Sequence, residues 1–92
     1  MPALYRTETH ARGLSELPQY EILCGLIYRT ATHDDGYVEP PQYEIFDGKI
    51  YRTVEHVDGH SDLPEYEIKG YKIYRIASHR DGHDEHSQYV IR

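Results

Sequence analysis

The sequence holds one cysteine (Cys24), one phenylalanine (Phe46) and no tryptophan. A single thiol excludes an internal disulfide, so packing and hydrogen bonds must hold the fold, and a reducing, cytoplasmic setting is the expectation. No run approaches the roughly 20 apolar residues of a membrane span. The start, MPALYRTETH, also lacks the apolar stretch of a secretion signal, so no membrane partner is expected. Basic residues are scarce as well. Ten Lys and Arg against 16 Asp and Glu leave a formal net charge of -6, and mean hydropathy is -0.79. A phosphate backbone is bound by a clustered basic face, so no nucleic-acid partner is expected, although a local ring of Arg would still be basic.

Helical periodicity is missing too. No stretch sustains an apolar period of 3.6, which predicts essentially no helix. Nucleophile motifs are equally absent: Ser15, Ser61, Ser78 and Ser87 have no Gly-x-Ser-x-Gly context, and no glycine-rich loop could cradle a phosphate. A hydrolytic enzyme, with the asymmetric stretch His79–His86 as its only candidate site, is the least supported class. The expectation is no enzyme.

What the chain does have is tyrosine and repetition. Eight of its ten tyrosines fall at repeat positions. Tyr-Arg pairs stand at Tyr5-Arg6, Tyr28-Arg29, Tyr51-Arg52 and Tyr74-Arg75, each 23 residues after the last, and four such units account for all 92 residues. A histidine follows each arginine by four positions: His10, His33, His56 and His79. Breaks near 18, 41, 64 and 87 divide a single domain, residues 1–92, into these repeats.

The third unit shows the local structure best. Tyr43–Phe46 and Lys49–Arg52 alternate apolar and polar residues around Asp47-Gly48, the pair that supplies both positive-φ positions of a two-residue type I′ hairpin. Cys24-Gly25 and Gly70-Tyr71 hold the same place in their units, and Gly-first suits the II′ form. A two-residue loop sets register, and register sets faces. Ile45 then lies across from Ile50 and Tyr43 across from Arg52 on one face, with Glu44 and Tyr51 on the other. Transferred to the other units, the first face collects Leu4, Ile22, Ile27, Ile68, Ile73 and Ile91 as core. The strand after each Tyr-Arg is expected to run on through Thr-x-x-His into a turn, and Pro18, Pro41 and Pro64 (Ser87 in the last unit) to start the next strand.

Ala3–Arg6 reads as the second strand of a hairpin, and Gln88–Arg92 as a first strand. Pairing these N- and C-terminal halves closes four hairpins head to tail and removes two exposed edges. The fold class is therefore all-β, a pseudo-fourfold ring resembling a miniature propeller or flower. The repeat PxYEIxxGxIYRTxxHxDG is similar to that of the small bacterial proteins called four-fold β-flowers. That resemblance implies a closed ring of four short β units, no established activity and no catalytic residue to carry over. No unit has gained or lost a residue, which fits an engineered relative as well as a natural one.

Two repeated constellations are candidates for function. Tyr20, Tyr43, Tyr66 and Tyr89 face Arg29, Arg52, Arg75 and, through closure, Arg6; such a ring could hold an anion or stack a sugar. The competing structural role is Arg laid across Tyr and paired with Glu21, Glu44 or Glu67 of a neighbour. His10, His33, His56 and His79 form the other set and would ligate Zn²⁺ or Ni²⁺ if they converge, or cap turns if they do not. His60, His83 and His86, with Asp81, Asp84 and Glu85, read as solvated loops. The leading function is a non-catalytic scaffold or a binding and assembly module of unknown partner, monomeric or a homodimer stacked on its Tyr-rich face. A divalent-metal-binding protein is the alternative.

Overall fold

The computed structural model describes residues 2–92. It contains eight strands: β1 (Ala3–Arg6), β2 (Tyr20–Leu23), β3 (Leu26–Arg29), β4 (Tyr43–Phe46), β5 (Lys49–Arg52), β6 (Tyr66–Lys69), β7 (Lys72–Arg75) and β8 (Tyr89–Ile91). They form one closed antiparallel barrel in chain order, with no helix among the described residues.

The hairpins have the register that two-residue loops dictate. Ile22 faces Ile27, Ile45 faces Ile50 and Ile68 faces Ile73, with Tyr20, Tyr43 and Tyr66 opposite Arg29, Arg52 and Arg75. Asp47 and Gly48 both have positive φ, at 52° and 75°, and so do Cys24 and Gly25. At Gly70-Tyr71 only the glycine does, at 63°. Turn chemistry thus varies while loop length does not. The fourth hairpin is made by the two ends of the chain, where Leu4 faces Ile91 and Arg6 faces Tyr89. Ala3 and Arg92 exchange backbone hydrogen bonds of 2.8 and 2.9 Å.

Closure goes further than blades packed side by side. Each hairpin also hydrogen-bonds to the next, so that Ile27 pairs with Tyr43, Ile50 with Tyr66, Ile73 with Tyr89 and Leu4 with Tyr20. Every second-strand aliphatic residue is thereby held between its hairpin mate and the tyrosine of the following unit. Leu4, Ile27, Ile50 and Ile73 are the most enclosed apolar side chains, 1–3 % exposed, while Ile22, Ile45, Ile68 and Ile91 pack against them from the turn end and are only partly buried. The void between these four buried aliphatics and the four tyrosines is about 10 Å³, at the limit of a single water and lined by nothing that would bind one. The barrel is filled.

Two expectations about the connectors need correction. The strands end at arginine, because Thr-x-x-His is itself a turn: His33 N–H bonds the Thr30 carbonyl (3.1 Å), then Gly36 N–H bonds the His33 carbonyl (2.9 Å). Gly36 sits at φ 88°, where a Cβ would be strained. The other three units repeat the pair of turns, with Ile76 in the threonine's place. Nor does proline begin a strand; the strands open two residues later, at Tyr20, Tyr43 and Tyr66. What that position supplies is a carbonyl. Thr30, Thr53 and Thr7 hydroxyls donate to the carbonyls of Pro18, Pro41 and Ser87, and Ser78 reaches Pro64 where Ile76 has no hydroxyl. Serine replaces proline at position 87 without loss because the bond uses only the backbone.

Candidate functional site

The double turns gather the polar repeat positions at one end of the barrel. Tyr20, Tyr43, Tyr66 and Tyr89 form a four-membered pinwheel above the aliphatic core, neighbouring rings 5.8–6.1 Å apart and crossed at 77–80°. Edge-to-face contact suits aromatic quadrupoles, and the fourfold pattern supplies it to every ring. Burial pushes the ionisation of Tyr20, Tyr43, Tyr66 and Tyr89 upward.

A histidine packs against the edge of each tyrosine. His33, His56, His79 and His10 lie 4.9–5.2 Å from Tyr20, Tyr43, Tyr66 and Tyr89. Each accepts, at Nδ1, the backbone N–H two residues on: Arg12, Asp35, Asp58 and Asp81, all at 3.0 Å. An accepting Nδ1 leaves the proton on Nε2, which then donates to the Tyr20, Tyr43 and Tyr66 hydroxyls at 3.1, 3.2 and 3.3 Å. Burial disfavours the protonated form of all four imidazoles. It lowers His10 and His56 to about 4, with Arg6 and Arg12 assisting at His10, and it lowers His33 and His79 as well. The repeated histidines therefore serve as turn caps and tyrosine partners. Among the described residues no three His, Cys, Asp or Glu side chains stand together as a metal site.

The arginines complete the wall. Above the pinwheel lies a bowl of about 550 Å³, reached by Arg6, Arg29 and three of the histidines. An adjoining lobe of about 250 Å³ includes Arg52, Arg75 and Glu65. His10, Arg12, Tyr43, His56 and Asp58 border both. The four pinwheel tyrosines, the four repeated arginines and the four repeated histidines thus converge at one end.

Their charge partners differ from the expected ones. Glu21, Glu44 and Glu67 lie across from Tyr28, Tyr51 and Tyr74 on the outer face of the barrel, so they cannot serve the arginines inside. Arg6 instead pairs with Asp34 and donates from Nε to the Gly13 carbonyl at 2.9 Å. Arg75 meets Asp84 at 3.2 Å and Arg52 meets Glu65 at 4.0 Å. Arg29, only 9 % exposed, has no carboxylate within salt-bridge distance among the described residues, and its Nε, like those of Arg52 and Arg75, is sealed without a hydrogen-bond partner.

The residue before each tyrosine carries structure that was not singled out from the sequence. Gln19, Gln42, Glu65 and Gln88 are almost wholly buried. Gln19 and Gln42 accept, at Oε1, the N–H groups of Asp34 and Val57, both at 3.1 Å, and Gln19 also donates to the Thr32 carbonyl. They pin the double turns after β3 and β5 to the barrel. The available signal was a polar residue repeated immediately before every tyrosine, with glutamate breaking the glutamine series once. The side chains of the loop histidines His60 and His86 meet Asp62 and Asp84, at 3.4 and 3.3 Å.

Compared with known proteins, the chain matches no family model, no curated protein and no solved structure. The likeness to four-fold β-flowers therefore rests on the repeat's own residues.

Proposed function

We propose that this protein is a non-catalytic binding module that holds a small anionic ligand in the axial bowl. The observation that carries this reading is the convergence of Arg6, Arg29, Arg52 and Arg75 around one concave surface floored by tyrosine. Guanidinium groups remain charged at any physiological pH and match the geometry of carboxylate or phosphate oxygens. Partial enclosure weakens solvent screening, so charge counts for more here than on the outer wall.

The chemistry of the neighbours favours holding over reacting. Each histidine spends Nδ1 on its own turn, and the depressed imidazoles and elevated phenols are poor proton carriers at neutral pH. The test is a titration with phosphate, sulfate and acetate, read from the ring resonances of His10, His33, His56 and His79, with glucose as a neutral control. Saturable shifts with the anions are expected. Unmoved rings at millimolar anion would overturn the reading.

A further inference from the structure

We infer that the anion sits off the barrel axis, one per molecule, on the guanidinium of Arg29. The inference rests on the reading of the bowl as an anion site and adds where in it the ligand is held.

Fourfold symmetry alone would place an anion on the axis, equidistant from four equivalent arginines. The charge partners remove that equivalence. Asp34 compensates Arg6, Glu65 faces Arg52 and Asp84 compensates Arg75. Arg29 has no counterpart among the described residues, although it is as buried as Arg6. A nearly enclosed cation without a counter-ion is unfavourable, and an oxyanion arriving from solvent relieves it. Its Nε is sealed without a hydrogen-bond partner, as are those of Arg52 and Arg75, so what sets Arg29 apart is the missing carboxylate. Arg29 lines the bowl, and a guanidinium edge fits an oxyanion by two parallel charge-assisted hydrogen bonds. Arg6, by contrast, already has its Nε on the Gly13 carbonyl and a terminal nitrogen on Asp34.

The same asymmetry explains why a single substitution should open a second site. Glu65 stands where the other three units carry glutamine, so Glu65→Gln restores the repeat's own residue and leaves Arg52 without its carboxylate. Both sites would take the same chemistry, a carboxylate or a phosphate oxygen pair.

The experiment is calorimetric titration with inorganic phosphate and with acetate, alongside NMR of the arginine Nε–H groups. For the native chain one equivalent is expected, with the largest shift at Arg29. Arg29→Gln should weaken binding by roughly tenfold or more, as loss of a charge-assisted pair implies, and Arg52→Gln or Arg75→Gln by about threefold or less. E65Q should move the stoichiometry towards two. Equal losses on removing any of the four arginines would overturn the off-axis site while leaving the bowl an anion site. Absence of any binding, in the native chain and in E65Q alike, would overturn both. Should Arg29→Gln fail to fold, an unchanged stoichiometry in E65Q decides against the inference by itself.

Discussion

The aliphatic barrel and the bowl above it are built from the same four repeats, yet they tolerate difference very unequally. In the barrel the enclosed positions read Leu4, Ile27, Ile50 and Ile73, residues of one volume class, because a filled interior permits little change. At the bowl the exposed position two after each repeated histidine reads Arg12, Asp35, Asp58 and Asp81, and even the buried residue before each tyrosine reads Gln, Gln, Glu, Gln. There the backbone bonds to histidine Nδ1 are identical in all four units, so the solvent-facing side chains of Arg12, Asp35, Asp58 and Asp81 can vary without moving the frame. Symmetry is a packing requirement below the tyrosines and only a framework above them. The departures from it, at Arg29 and Glu65, fall along the wall of the bowl and its adjoining lobe.

Several changes would break or sharpen that contrast. The largest effect is expected from deleting residues 88–92, which removes β8, its pairing to β1 and β7, and Tyr89 from the pinwheel. Loss of a cooperative thermal transition is expected by circular dichroism; an unchanged melting temperature in a monomer would contradict closure. Ile27→Ala, inside the barrel, should lower stability by about 2–5 kcal/mol in urea unfolding. Gln42→Ala belongs to the framework and orphans the Val57 N–H, for an expected loss of about 1–3 kcal/mol. If it proves as mild as a surface change, the glutamines do not anchor the turns.

pH tests the bowl as a whole. Unfolded histidines take up protons near pH 6.5, whereas folded His10 and His56 refuse them until about 4. The unfolded chain therefore binds more protons across that window, and stability should fall as pH drops from 6.5 to 4. The elevated tyrosines act oppositely: unfolded phenols ionise near 10 before the folded ones do, so stability should fall again above that pH. Melting temperatures across the range should trace a plateau with both shoulders; a flat acid side would mean the imidazoles are solvated. The smallest effect is expected at Phe46, 71 % exposed on the outer wall, where Phe46→Ser should change stability by no more than about 0.5 kcal/mol.

Much of this molecule was legible from residues alone. Alternation around Asp47-Gly48 located a hairpin, two-residue loops set its register, and the complementary halves at the two ends anticipated the pairing of Arg6 with Tyr89. Less legible were the connectors. Thr30–His33 reads as strand because threonine suits strands, yet the bonds from His33 and Gly36 wind it into turns, an outcome that depends on tertiary partners such as Gln19 and the Pro18 carbonyl. The arginines' partners were misread as well. A neighbouring unit's glutamate was expected, but Glu21, Glu44 and Glu67 all lie across from outward tyrosines. The carboxylates that meet Arg6, Arg52 and Arg75 come from Asp34, Glu65 and Asp84.

The sequence by itself determined the repeat, the hairpins, the faces and the closed all-β ring, because these follow from periodicity and turn geometry within a few residues. Only the tertiary structure decided that four tyrosines interlock, that four histidines turn inward to cap and support them, and that one arginine of four is left without a counter-ion. Those outcomes depend on distances between units 23 residues apart. Charge pairing across such distances is set by where closure places each side chain, and no local pattern records it.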